Sequence, residues 1–313
     1  MIEYTTAVTS ALGHAGHPRS VLSDDDVKDL IIAALPEPDY ERLRPHLELI
    51  HLAAGSTVYE PNERLSHAYF PTTCVIALIA VMEDGTSAQL ALTGYEGLIG
   101  TSLLMGGGTK SSRGSVQCAG YAYRLPASIL RRQLPLASNL RHWGLRFTHA
   151  LVTQMGQTSA CNRHHTIDQQ FCRWLLMTLD RVAGNEIKMT QELIANMLGV
   201  QRERVTEVAT QLHSDGLIQC RSATITVIGR PRLERRACEC YAVFKKSMTL
   251  ILRFTARTTR QQIRSMVACV KSLTKRRGSD GAAFLNTHCE ATDESMRNAF
   301  VNPCVSMLIA PTK

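Results

Sequence analysis

Nowhere do these 313 residues approach the roughly 18 to 20 consecutive apolar positions that a helical membrane span requires, so no membrane partner is expected. Residues 1–23 lack the basic start and apolar core of a secretory leader, and a cytoplasmic location is the expectation. The composition also lacks the charge excess and apolar poverty of a disordered chain: 44% of residues are hydrophobic and 20% charged. Ten cysteines are present, yet none belongs to a CxxC…CxxC array or a Cys/His spacing that announces zinc. In a reducing compartment they read as buried or free thiols. Cys238-Glu239-Cys240 is the one close pair and reads as an ordinary local structural feature, with a metal or redox role as the alternative. Missing too is any nucleophile–base or metal spacing among Asp84, Glu96, His164 and His165, which argues against an enzyme. Arg163-His164-His165 falls near a helix junction and reads as solvated surface, with a pH-sensitive hinge as the alternative.

What is present is a lopsided charge. The formal net charge is +8; residues 1–159 hold 12 Lys+Arg against 14 Asp+Glu, and residues 160–313 hold 23 against 13. A basic half joined to a slightly acidic one suggests that the C-terminal half meets a polyanion, most often nucleic acid.

Length allows about two domains. Residues 1–25, rich in Ser, Thr, Gly, His and Asp, read as a flexible tail. A short helix is predicted over Asp26–Leu35, stopped by Pro36-Glu37-Pro38. Short apolar runs follow at Ala68–Phe70, Val75–Met82 and Gln89–Thr93, separated by turn signals such as Glu83-Asp84-Gly85 and Gly106-Gly107-Gly108. Strand after strand with no helix between them predicts an antiparallel roll over residues 26–135. The period then turns helical. Ser128–Leu134 is a short helix broken by Pro135, and a long helix, residues 136–164, carries Leu140, Phe147, Leu151 and Met155 on one stripe. That stripe predicts a dimer interface, with packing on the chain's own roll as the alternative. Asp168–Val182 is a further helix, closed by Ala183-Gly184-Asn185.

Residues 190–217 read TQELIANMLGVQRERVTEVATQLHSDGL. Thr190 stands where an N-cap belongs, Gln191–Leu198 is a short helix, and Gly199 suits a left-handed turn. Gln201–Ser214 is the second helix, with Val205, Val208 and Leu212 facing Ile194 and Leu198 across the small Ala195. Gln201, Arg202, Glu203, Arg204 and Thr206 are left facing solvent. This is a helix-turn-helix pattern, whose second helix enters the major groove of double-stranded DNA. Arginine can grip guanine O6 and N7, and glutamate accepts from cytosine N4. Thr190 and Gln191 are placed to hold phosphates. LIQCRSATITVI after Gly216 predicts a two-stranded wing with Arg221 at its tip, completing a winged helix-turn-helix over residues 165–243.

The order of roll, long helix and TQELIANMLGVQRERVTEVATQL resembles the Crp/Fnr family of transcription regulators over about residues 28–243. Matching pieces are Tyr69-Phe70-Pro71, Gly94-Tyr95-Glu96-Gly97-Leu98-Ile99-Gly100 and Cys238-Glu239-Cys240-Tyr241. The resemblance implies an α+β chain built as a cyclic-nucleotide-binding-like β-roll (a jelly roll), a dimerisation helix and a winged helix-turn-helix. It implies a homodimer reading an inverted repeat, half-sites roughly 34 Å apart, with Arg202 and Glu203 reading bases. RNA polymerase is a further partner it suggests.

Several departures limit what carries over. Where cyclic-nucleotide-binding relatives place a ribose-binding Glu, this chain has Leu98, which cannot accept that hydrogen bond. Glu96, Gly97, Gly100 and Arg113 are the candidate effector-pocket residues, although Glu96 also reads as a turn closer and Arg113 as a solvated cation. Cyclic nucleotide is not expected. Nor is an iron–sulfur cluster, because the first cysteine is Cys74 rather than an N-terminal group. His67, Cys74 and Cys118 could in principle meet haem, but no spacing singles them out, and no cofactor is predicted. Glu207 stands where the cyclic AMP receptor branch carries a second base-reading arginine, so the operator should differ. Residues 244–313 have no counterpart in the family and form a basic extension of unknown role, with net charge +6 over 247–313. The competing function is a ligand-responsive signalling module that acts on a protein partner without reading DNA.

Overall fold

The computed structural model describes residues 29–108 and 111–249, so the expected tail and most of the basic extension lie outside the described residues. Asp29 opens the first helix, α1 (Leu30–Ala33), by accepting from the amides of Ile31 and Ile32 through one carboxylate oxygen. α1 stops ahead of Pro36, and Pro36 and Pro38 also begin the next helix. Pro36 is the N-cap and Pro38 lies in the first turn of α2 (Glu37–Leu43), where the missing amide would have had no helical partner anyway.

Seven strands follow: β1 (Glu48–Leu52), β2 (Thr57–Tyr59), β3 (His67–Pro71), β4 (Val75–Val81), β5 (Ser87–Thr93), β6 (Arg113–Cys118) and β7 (Gly120–Pro126). All ladders are antiparallel, in two sheets ordered β1-β7-β3 and β2-β6-β4-β5. This is the predicted roll. Its interior is filled by Phe70, Ile76, Leu78, Val116 and Tyr123. The run VIALIAV of β4 shows no polar alternation because both of its faces are covered: Ile76 and Leu78 point into the roll, while Val75, Ala77 and Ile79 join the second core. Between β5 and β6 lies α3 (Thr101–Leu104).

After β7 come α4 (Ala127–Gln133) and the long α5 (Ser138–His164), of 27 residues and about 40 Å at 1.5 Å per residue. At Gly97 the roll presses on this helix: a Cβ there would stand 2.0 Å from the Phe147 ring. No side chain other than hydrogen fits at that crossing.

The second core is built on α6 (Ile167–Leu179), opened by a capping box in which Thr166 and Gln169 satisfy each other's backbone amides. Then come β8 (Glu186–Lys188), α7 (Gln191–Leu198), α8 (Arg202–Ser214), β9 (Ile218–Arg221), β10 (Thr224–Val227), α9 (Arg230–Arg236) and α10 (residues 239–249). β8, α9 and α10 were not predicted. The three residues of β8 are too few to show alternation; it is held by its ladder to β10, in the order β8-β10-β9. Phe171, Trp174, Leu175, Leu198, Val205 and Leu212 pack together beneath the outer face of β4. Trp174 Nε1 donates to Gln89 Oε1 at 3.1 Å, and Gln117 Nε2 donates to Thr178 Oγ1 at 2.7 Å, so polar ties as well as apolar contacts dock this half on the roll. No helix among the described residues is long and apolar enough to cross a membrane.

Candidate nucleic-acid interface

Thr190 caps α7, its hydroxyl accepting from the Leu193 amide at 3.3 Å. Gly199 ends the helix at φ 67°, and its α-carbon side faces Ala88 of β5, where an added Cβ would sit 3.3 Å from the alanine methyl. Gln201 is the N-cap of α8, one residue earlier than the helix proper. Val205, Ala209 and Leu212 form the buried seam of α8 against α7. Val208 is only half-buried: Ala209, one position on, faces the core because its small side chain lets the helices approach.

The opposite face is open. Gln201, Arg202, Glu203, Arg204 and Thr206 are all exposed at the start of α8. Thr206 Oγ1 donates to Gln191 Oε1 at 2.8 Å, so these two residues brace one helix against the other while lying on the open side. Arg204 approaches Glu207 at 3.8 Å, a surface pair that contributes little. β9 and β10 join through Ser222-Ala223, with Ser222 at φ 51°, and Arg221 is exposed at the last position of β9. The scaffold beneath is cross-braced: Arg236 bridges Asp168 at 2.9 Å and also pairs with Asp215, joining the start of α6 to the end of α8.

Each of the four candidate effector residues is engaged by neighbours of the chain's own. Glu96 has no exposed surface. Its Oε1 pairs with Arg181 Nη2 at 2.7 Å, and its Oε2 accepts from the Gly94 amide at 3.2 Å. The turn-closing role is the one the geometry favours, and the carboxylate is aimed at the C-terminal half rather than into the roll. Gly97 backs on Phe147, and Gly100 (φ 116°) lies against Ala68. Arg113 pairs with Glu60 at 2.8 Å on the surface. Leu98 is in the core, and the Tyr59 ring lies across Gly114, where a Cβ would meet it at 2.3 Å.

A second correction concerns the long helix. Leu140, Phe147 and Leu151 are 5% exposed or less and belong to the roll core, with Met155 packed beside them. An apolar stripe records that one face is covered; its period does not say by what, and the nearest apolar surface is the chain's own roll. The opposite face carries Leu145 and Val152, seven residues apart and 46% and 62% exposed. Exposed Gly156, Ser159 and Ala160 continue on that side.

Burial pushes the Cys74 and Cys118 thiols up to about 12, so both stay protonated near neutral pH, and His67 is held below the usual histidine range, chiefly by burial. Cysteines that spacing set aside do come together: Cys161 and His165 at the end of α5 meet Cys238 and Cys240 at the start of α10. The signal for this lay in two short pairs, Cys-x3-His and Cys-x-Cys, too far apart in the sequence to be read as one group.

Residues 169–236 match the Crp-like helix-turn-helix domain family. Among solved structures, a protein described as a Crp/Fnr-family transcriptional regulator from Eubacterium rectale superposes with a TM-score of 0.53 at 17% identity, covering 64% of this chain and 94% of its own. FixK2 from Bradyrhizobium japonicum gives 0.52 at 16% identity over 61% and 98%. A CRP-family regulator from Thermus thermophilus gives 0.51 at 19% over 60% and 96%. Comparison with curated proteins returned no match. The shared feature is the fold, a roll followed by a helix-turn-helix.

Proposed function

We propose that this chain, with its Crp-like helix-turn-helix domain and Crp/Fnr-type fold, is a sequence-specific transcription regulator that binds duplex DNA as a homodimer. One observation carries the reading: the first turn of α8 presents Arg202, Glu203 and Arg204 to solvent while Val205, Ala209 and Leu212 anchor the same helix from beneath. A helix supported in this way can lay its N-terminal turn in the major groove, where Arg202 forks onto a guanine and Glu203 accepts from a cytosine amino group. Thr190, Gln191 and Arg221 flank that turn and supply phosphate contacts, which fix register without reading sequence. Glu207, exposed farther along the helix, repels phosphate and favours a base amino group.

A second protomer packs along Leu145 and Val152, the apolar positions that the roll leaves uncovered. Two recognition helices related by that axis read an inverted repeat. The roll sets their spacing through its contacts with α6 and α7, and any effector acts by shifting that spacing. Activity as a partner-binding signalling module without DNA is the competing reading.

Selection of bound fragments from random duplex DNA by the purified full chain separates the two. Enrichment of an inverted repeat, its half-sites about one helical turn apart, is the expected result. Uniform recovery that vanishes as salt rises would mean that only charge is at work and would move the partner-binding reading ahead.

A further inference from the structure

At the joint where α5 stops and α6 begins, four ligand-type side chains converge from two distant stretches of sequence. Cys161 lies in the last turn of α5 and His165 is its C-cap, four residues on and therefore on the same side. Cys238 and Cys240 bracket the first residue of α10, arriving from beyond the wing. The three sulfurs and the ring nitrogen of His165 all lie within 4.8 Å of one another. Cys161 Sγ and Cys238 Sγ are 3.5 Å apart, and Cys240 Sγ is 3.5 Å from His165 Nδ1.

We propose that Cys161, His165, Cys238 and Cys240 form a mononuclear zinc site that fastens the recognition domain to the end of the long helix. The two 3.5 Å separations match the edges of one tetrahedral ion, and the rest lie within 4.8 Å. With Zn–S about 2.3 Å and Zn–N about 2.0–2.1 Å, tetrahedral edges come to roughly 3.5–3.8 Å. A multi-iron cluster, whose thiolates sit on different irons, needs its sulfurs spread farther than this group allows. The soft set of three thiolates and an imidazole suits zinc.

The surroundings are those of a metal site rather than of packed thiols. His165 turns Nδ1 to the sulfurs, while its Nε2 meets Glu239 Oε1 at 3.2 Å, the carboxylate that orients a ligating imidazole and fixes its tautomer. Gln157 Nε2 donates to Cys240 Sγ at 3.0 Å, a bond a thiolate accepts better than a thiol. Cys161, Cys238 and Cys240 are buried, whereas the side chain of His165 is 17% exposed and gives an entry path. Binding releases thiol protons, with no change in oxidation state.

The site would join two elements whose relative position decides where α8 points. α6 starts two residues past His165, and α10 packs Phe244 over the Arg181 guanidinium at 4.7 Å.

The test is titration of the reduced, chelator-treated full chain with Co²⁺, read by absorption, then displacement by Zn²⁺. The expected result is one equivalent bound, with thiolate-to-cobalt charge transfer and the strong visible bands of a tetrahedral site, both abolished by one equivalent of zinc. His165→Ala and Cys240→Ser should each lose that spectrum, while Cys74→Ser keeps it. Glu239→Gln, at a side chain 75% exposed that tolerates exchange, should keep the spectrum but weaken affinity about ten- to a hundredfold. Weak octahedral absorption, or no saturation at one equivalent, would overturn the proposal. So would tetrahedral binding that survives Cys238→Ser with Cys240→Ser, since Cys269, Cys289 or Cys304 would then be responsible. A Cys161–Cys238 disulfide forming in place of metal uptake in the wild-type chain would also overturn it. Each outcome is independent of the DNA selection, which can succeed or fail whatever the metal content.

Discussion

Glu96→Ala should destabilise the chain by about 3–5 kcal/mol, because it strands a buried guanidinium. Arg181 is 4% exposed, and Glu96 accepts from its Nε at 2.8 Å. The remaining donors go to the carbonyl oxygens of Met177, at 2.7 Å, and Leu92, at 3.2 Å. One residue thus ties the turn after β5 to the end of α6, with the α10 aromatic above it. Without the carboxylate the buried positive charge loses its ion-pair partner. At about 2–4 °C per kcal/mol for a chain of this size, thermal unfolding should move down by roughly 6–20 °C. Replacing both partners, Glu96→Leu with Arg181→Met, should recover much of that loss, because the penalty comes from the unpaired charge more than from the lost pair. Circular dichroism melts of the three proteins check this. Equal melting of Glu96→Ala and wild type would mean that the pair does not hold the halves together.

The second large effect is on assembly. Leu145→Asp with Val152→Asp should turn the dimer into a monomer with an unchanged melting profile, because both positions already face solvent within the chain. Two charges on an apolar seam leave like charges opposed across the axis and unpaired when buried. Half of the inverted repeat is then lost to each protein, and affinity for the repeat should fall toward that of a single half-site. Phe147→Ala should behave the opposite way: about 3–5 kcal/mol less stable, with its oligomeric state retained for as long as it folds. Sedimentation velocity beside thermal melts separates these outcomes. A monomer from Phe147→Ala and a dimer from the double aspartate variant would restore the buried stripe as the interface.

These two cases show where the sequence was readable. The helix-turn-helix could be placed to within a residue because its signals are local: an N-cap threonine, a glycine at a left-handed turn, a three-and-four apolar spacing. The roll was legible from turn residues between apolar runs. Pro36 and Pro38 mark the end of α1 but hide the start of α2, because proline both stops a helix and starts one, and only the following residues decide. The dimer stripe misled because periodicity identifies a covered face and says nothing of its cover. Glu96 and Arg181 are 85 positions apart, and Cys161 and Cys238 are 77 apart. Pairings at such distance leave no spacing to read in a single sequence; they follow from how α6 and α10 fold back on the roll.

The most direct test of DNA reading is the binding of Arg202→Ala to the selected repeat and to unrelated duplex, across a salt series. The account predicts a loss of about 1–3 kcal/mol on the repeat, with base preference relaxed at one position in each half-site and affinity for unrelated DNA nearly unchanged. Equal weakening on both duplexes, with the salt slope reduced by about one and the base preferences intact, would make Arg202 a phosphate contact and contradict base reading by the first turn of α8.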